Sequence, residues 1–595
     1  MPGGNLSNTY SERISYFGEA VRLLTRRINL FSLARLVVLV AMVWLLVSGI
    51  KTGNILFYLL SALMLILFFS LVSIFNRLTG ERDLLRQLLL LNEKELACQA
   101  YKFHNLPEGS EHADISHPWS HDLDLFGKGS LFQYLNRTST LRGSKILAEM
   151  LTTEPGSAEI ILKRQLITED LRERIDFRQH FTASGALLKE KPEDHEDIAT
   201  WISASTYLGK YPWLFYLALG ISLLSLVLII WGIFDSSRFK LLLYPFVLNL
   251  LILSPFLLRT QKYQAYISRK HDLLEGYSRL LKQIAGTSFN HPELQEKSLK
   301  AREGMLQVAR LSKLMQIFDQ RLNMFLGFIL NSLFLFDFIM LHLLERWKKK
   351  NRENIMEWIG ITGWFDAMIS LAGFAWNHPD YCVPQLDEAT ELMELLGLGH
   401  PLIPVQKRVS NDLEITGEKV VVITGANMAG KSTFLRSLGV NMVLAYTGCP
   451  VCATTFRCSY MGLHSSMRTA DSLKDEESYF LAEIKKLQEI VLEMESGKPV
   501  LILLDEVLKG TNTTDKKLGS VGLIRKALNY SIRCFIATHD LSLGELENEH
   551  KGLVVNYCFE SYIEDMELSF DYTIRRGIAT NMNASFLMKK MGIVD

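Results

Sequence analysis

The 595-residue sequence predicts a membrane-anchored α plus α/β chain: two transmembrane helical hairpins, a helical core/lever region and a C-terminal α/β domain. Three observations predict it. Apolar residues make up 48% of the chain and are concentrated, four of their stretches being long enough to span a bilayer. The segments between those stretches are charged and carry apolar positions at helical spacing. Near residue 420 a β-branched run passes through a glycine-rich loop into a helical pattern. A chain of this length exceeds one core, so roughly two to four domains are expected.

Net charge is zero, so no global basic excess points to nucleic acid, and a local patch stays open. The seven cysteines are scattered and odd in number, as in a reducing compartment. Cys449, Cys452 and Cys458 form a C-x-x-C with a third cysteine nearby, but no second C-x-x-C supplies the fourth ligand zinc would want. Buried small hydrophobes are a better reading than zinc or redox chemistry.

The apolar stretches are 30–50 and 55–75, then 213–234 and 241–258, each with about 20 residues and few charges. Arg22, Arg26 and Arg27 precede the first pair, Arg77, Arg82 and Arg86 follow it, and Arg259, Lys262, Arg269 and Lys270 follow the second. By the positive-inside rule both termini and the middle segment are cytoplasmic. The expected divisions are an N-terminal cytoplasmic segment (1–27), hairpin 1 (28–76), the first part of the helical core (77–210), hairpin 2 (211–259), the helical lever/core's second part (260–385) and the α/β domain (386–595). The expected location is the cell inner or plasma membrane, multi-pass, with the lipid bilayer as a partner. A fifth run, 324–344, contains Asn331, Asp337 and His342 and would invert the C-terminal half, so it reads as a buried helix. The cluster Arg346, Lys348, Lys349 and Lys350 after it reads as a solvated helix end, with contact to lipid headgroups or nucleic acid as the alternative. In 260–322, Leu273, Leu274, Leu280 and Leu281 recur at helical spacing, and 286–292 breaks two long helices.

The chemistry lies further on. Residues 419–424 form a strand pattern that runs into Gly425, Ala426, Asn427, Met428, Ala429, Gly430, Lys431, Ser432 and Thr433, followed by a helical pattern. This is G-x-x-x-x-G-K-S in strand–loop–helix context, a P-loop for ATP. The glycines let backbone N–H groups wrap phosphates, and the helix N-terminus adds partial positive charge. Lys431 is expected to reach the β- and γ-phosphates and Ser432 to ligate Mg²⁺. The apolar strand 500–504 ends in Asp505 and Glu506. Alone, such a pair would be a helix cap. With a P-loop upstream, Asp505 holds the metal through water and Glu506 deprotonates the attacking water. A third strand, 534–538, ends in His539, placed to sense the γ-phosphate.

Five segments together resemble the MutS family: the P-loop 424–433 with its internal Asn-Met, 477–483 with Ser478 as its signature serine, 505–515 as acidic strand and dimer-contacting loop, 537–540 around His539, and 399–402 with 409–413 leading into the domain. The resemblance covers about residues 398–595 and implies an ATPase domain of MutS type within the ABC/MutS-like P-loop NTPases. It also implies a homodimer in which Ser478 acts in trans, adenosine held by the leading segment, and ATP-driven movement of helical arms. DNA as the arms' target is implied by the resemblance alone. Upstream, 127–144, 164–177 and 365–375 resemble parts of the family's helical core more weakly. No mismatch-reading domain is expected, because the membrane hairpins occupy its place, and no C-terminal nuclease-like extension is expected, since the chain stops at Asp595. Phe17-Gly18-Glu19 resembles the family's mismatch wedge superficially but precedes the first span, so no wedge role is expected. The rival readings are an ABC-type transporter, disfavoured by four spans and the absent Leu-Ser-Gly-Gly-Gln signature, and a nucleotide-gated membrane scaffold.

Overall fold

The computed structural model describes residues 3–204, 212–254, 270–388, 390–468, 479–508, 511–564 and 567–580. Helices α1 (Gly3–Thr52) and α2 (Ile55–Gln99) make one long hairpin. Its turn needs Gly53 at φ +65°, and the Asn54 side chain caps α2 by accepting the Leu56 N–H at 3.0 Å. The expected spans 30–50 and 55–75 lie inside these helices, which continue beyond them at their outer ends. Phe17 is buried against Leu88 and Ala183, a packing role rather than a wedge.

Short helices α3 (Leu131–Leu135), α4 (Leu141–Thr152), α5 (Ala158–Arg172), α6 (Ile175–Gly185) and α7 (Pro192–Ser203) follow. Then come α8 (Pro212–Phe234), a 3₁₀ segment (Ser236–Leu242) and α9 (Leu243–Leu253). The last expected span therefore begins in 3₁₀ geometry, and its end lies outside the described residues. Helices α10 (His271–Gly286) and α11 (Pro292–Phe318) form the expected pair, with Leu273, Leu274, Leu280 and Leu281 all buried.

The run 324–344 is not a single buried helix. It forms α12 (Met324–Phe334) and α13 (Phe336–Asn351), bent by 84° at Leu335, whose φ is +48°. Asn331 accounts for the break: its side-chain oxygen accepts the Asp337 N–H at 2.9 Å, and its backbone carbonyl accepts the Leu335 N–H at 3.2 Å. The other polar groups are also partnered, Asp337 by Arg321 at 2.9 Å and His342 by stacking on Phe215 at 4.3 Å. The basic cluster is not wholly solvated either. Lys348 is buried, donates to the Ala204 carbonyl and lies 5.6 Å from the Trp201 ring centroid.

Among the described residues, five helical segments are long and apolar enough to cross a membrane by length and composition. Helix α14 (Ile355–Asn377) is one of them, yet 89% of its apolar window is buried inside the protein. It is a core helix packed on α4 and α5. Asp366, at its centre, accepts the N–H groups of Ser139 and Thr140 and both of their hydroxyls, tying α14 to the start of α4.

The rest is built on strands β1 (Gln385–Asp387), β2 (Leu392–Leu398), β3 (Asn411–Thr416), β4 (Val420–Gly425), β5 (Thr455–Ser459), β6 (Gly462–Ser466), β7 (Val500–Asp505), β8 (Ile532–Thr538), β9 (Val554–Phe559), β10 (Tyr562–Glu564), β11 (Glu567–Ser569) and β12 (Ile574–Arg576). A four-stranded sheet has the order β1-β5-β2-β3, and a six-stranded sheet the order β12-β9-β4-β8-β7-β6. In the larger sheet every pairing is parallel except β12 with β9. Residues alternate between its two faces. Val421, Ile423, Leu501 and Leu503 join the core shared with the helical region, while Val420, Val422, Ile502 and Leu504 build a second core beneath α16 (Tyr479–Glu495) and α17 (Thr513–Ala527). The helix after β4, α15 (Lys431–Thr447), lies on the first face.

Candidate functional site

In a parallel α/β sheet, ligands bind in the crevice beyond the carboxyl ends of the strands. Strand β8 pairs with β4 on one side and β7 on the other, with Thr424 opposite Thr538 and Asp505 opposite Ala537. The loop after Gly425, the pair Asp505 and Glu506, and His539 therefore emerge side by side.

Gly425 ends β4 with φ +148°, and a Cβ there would stand 2.5 Å from the Phe559 carbonyl oxygen, so glycine is required. Ala426 is half-buried, and Asn427 and Met428 form an exposed apex, Met428 at φ +70°. Ala429 is buried, and Gly430, φ +113°, is the N-cap of α15. Lys431, Ser432 and Thr433 fill that helix's first turn. The Lys431 ammonium folds back to donate to the carbonyls of Gly425 at 2.7 Å and Ala426 at 2.9 Å. Burial pushes Lys431 below its ordinary value, opposed by the charges of Glu506 and then Asp505.

Glu506 follows β7 at φ +57°, and Leu508 has φ +61°. Left-handed backbone at residues other than glycine gathers at functional sites, where the surroundings hold it. The Glu506 N–H donates to Ala537 at 2.9 Å, and His539 Nδ1 lies 3.2 Å from Glu506 Oε1. Lys431, Asp505, Glu506 and His539 are thus brought to one edge. Ser478 lies outside the described residues.

The cysteines of the C-x-x-C region are buried free thiols, and among the described residues no cluster of three or more His, Cys, Asp or Glu is arranged to hold a metal. Several residues that shape the site carry no motif. Asn411 accepts the Ile574 N–H at 2.7 Å and donates to the Tyr572 carbonyl at 3.1 Å, bringing Tyr572 beside Gly430. Thr424 Oγ1 accepts the Ala579 N–H at 2.9 Å. Asp122 is fully buried and accepts from Ser465 Oγ, the Arg468 N–H and Lys486 Nζ, at 2.8, 2.9 and 2.6 Å. Asp124 pairs with Arg468 and lies 3.5 Å from Arg436 on α15. Each contact joins segments remote in sequence, and local pattern gives no signal for it.

Residues 421–590 match the family described as MutS domain V. The match falls in the C-terminal third of the chain. The chain is 31% identical over 251 residues to the DNA mismatch repair protein MutS of Thermotoga maritima, covering 42% of this chain and 31% of that protein. It is 33% identical over 240 residues to MutS of Aquifex pyrophilus, covering 40% and 28%. It is 27% identical over 249 residues to the DNA mismatch repair protein MSH3 of Debaryomyces hansenii, covering 38% and 24%. The matched part thus spans a quarter to a third of these relatives.

These likenesses correct one expectation. The relatives reported above are DNA mismatch repair proteins, which overturns the expected multi-pass location in an inner or plasma membrane with cytoplasmic termini and ATPase domain. The apolar helices keep only the description that length and composition give them.

Proposed function

We propose that the chain hydrolyses MgATP at the edge where β4, β8 and β7 end, as a MutS-type ATPase working as a homodimer. The observation that best supports this is the meeting of Lys431, Asp505, Glu506 and His539 at the ends of three adjacent strands. The loop suits a triphosphate. A buried ammonium satisfied by two carbonyls of its own loop can exchange them for phosphate oxygens, beside a helix N-terminus that favours anions. Ser432 and Asp505 would hold Mg²⁺, which when bound neutralises charge on the phosphates. Glu506 takes the proton of the attacking water, and His539 orients the Glu506 carboxylate through Nδ1. Ser478 of a second subunit completes the site. DNA is the proposed target of the helical region, since the relatives are named for DNA mismatch repair.

Steady-state turnover and MgATP binding test this reading. Lys431→Ala is expected to lose both. Glu506→Gln is expected to bind MgATP and slow turnover by about 10²- to 10⁴-fold. Wild-type turnover in Glu506→Gln would remove Glu506 from the mechanism. DNA binding should weaken steeply with salt, and a flat salt response would remove DNA as the target.

A further inference from the structure

Glu483 is a buried acid with no part in the hydrolysis described above. It lies in the first turns of α16 and is only 3% exposed. A buried carboxylate is retained only where its oxygens are partnered. Glu483 Oε1 accepts the N–H of Leu508 at 2.5 Å. Leu508 lies two residues past Glu506, and both have left-handed φ. Such a turn persists only when it is held from outside. On one side it is held by β8, through the Glu506 N–H and the Ala537 carbonyl. On the other it is held by Glu483.

Helix α16 is itself anchored. Lys486, three residues past Glu483 and so on a neighbouring face, donates to Asp122 at 2.6 Å. Asp122 belongs to the segment that precedes α3, so it joins the helical region to this helix.

We propose that Glu483 is a positioning residue that aims Glu506, and that the Asp122–Lys486 contact lets the helical region set that aim. This rests on the reading of Glu506 as the base. A displaced base slows the chemical step, whereas the phosphate loop on β4 and α15 still binds nucleotide.

The test uses the full-length protein with MgATP. Glu483→Met fills the same space without an acceptor and is expected to lower kcat by about 10- to 100-fold, with KM within about twofold of wild type. Glu483→Ala is a second test of the same bond. Glu483→Gln, whose amide oxygen can still accept from Leu508, is expected to recover most of the rate. In a Glu506→Gln background, Glu483→Met should lower the rate no further. Asp122→Asn should lower kcat in the same direction and add nothing to Glu483→Met. Wild-type kcat in both Glu483→Met and Glu483→Ala, or equal losses in the Gln and Met variants, would overturn the positioning role. Losses that multiply between Asp122→Asn and Glu483→Met would overturn the transmission. Lys431→Ala serves as the control. If it also turned over normally, the ATPase reading would fail, which differs from Glu483 variants matching wild type while Lys431→Ala is inactive.

Discussion

Replacing Asp366 by asparagine sets burial against hydrogen bonding at one carboxylate. Asp366 is fully buried, and its Oδ2 accepts the Ser139 N–H at 2.9 Å, the Thr140 N–H at 2.8 Å and the Thr140 hydroxyl at 2.8 Å. Its Oδ1 accepts the Ser139 hydroxyl at 3.1 Å. Burial outweighs these donors and pushes the carboxyl from 3.8 up to about 6. A raised folded-state value means that the group's contribution is fully present below 3.8 and is lost as pH rises through about 6. At about 1.4 kcal/mol per pH unit, ionising Asp366 in place costs about 3 kcal/mol. Asparagine avoids that cost. Its amide oxygen can take the three donors at Oδ2, and its amide N–H can donate to the Ser139 hydroxyl. Asp366→Asn is therefore expected to match wild type near about pH 4 and to exceed it by up to about 3 kcal/mol near about pH 8. Urea unfolding followed by tryptophan fluorescence measures this as the variant-minus-wild-type difference across pH, in which other titrating groups cancel. Thr140 caps α4, so the carboxylate also sits at a helix N-terminus, which favours its charge. If Asp366→Asn were the less stable protein near about pH 8, that favourable field would be the larger effect and the reasoning from burial would be refuted.

Gly425→Ala is expected to cost about 1–3 kcal/mol through its φ alone, more through the Phe559 contact, and to abolish MgATP binding; calorimetry with nucleotide checks both. His378 accepts the Tyr134 hydroxyl at Nε2 at 2.9 Å, donates from Nδ1 to the Phe374 carbonyl at 2.8 Å, and is held by burial at about 4 instead of 6.5. Its contribution is present above 6.5 and is lost as pH falls through about 4, so His378→Gln should flatten the acid side of a thermal-melting profile. Mixing Lys431→Ala with Ser478→Arg, each inactive alone, should restore part of the activity if the serine acts in trans. No recovery despite demonstrated heterodimers would exclude the composite site.

The strand–loop–helix at Gly425–Lys431 and the strand ending at Asp505 are legible because their pattern is local: a strand, a glycine-rich turn and a helix start follow one another in sequence. The pair α10 and α11 was legible for the same reason, its apolar spacing being the helix's own period. The bend at Leu335 was not, since composition sees one apolar run where Asn331 caps two helices. The burial of Lys348 was missed because a run of lysines reads as solvated, while its partners on α7 and just beyond lie far upstream. Distance in sequence likewise hides the contacts of Asn411 with Ile574, 163 residues away, and of Asp122 with Ser465 and Lys486, 343 and 364 residues away.

The separation between partners also dictates an order of assembly. Tyr10 donates to Asn377, 367 residues away, and Asp122 waits for Lys486, 364 residues later. At ribosomal speeds of about 5–20 residues per second, a gap of that length leaves the early segment without its counterpart for about 20–70 seconds. The apolar hairpin α1–α2 is synthesised before anything that could pack on its inner end, and α14 closes the helical core only after an excursion of some two hundred residues from α4. A nascent chain of this protein therefore carries a half-built core through most of its translation. Chaperone occupancy and sensitivity to slowed elongation should concentrate in that interval.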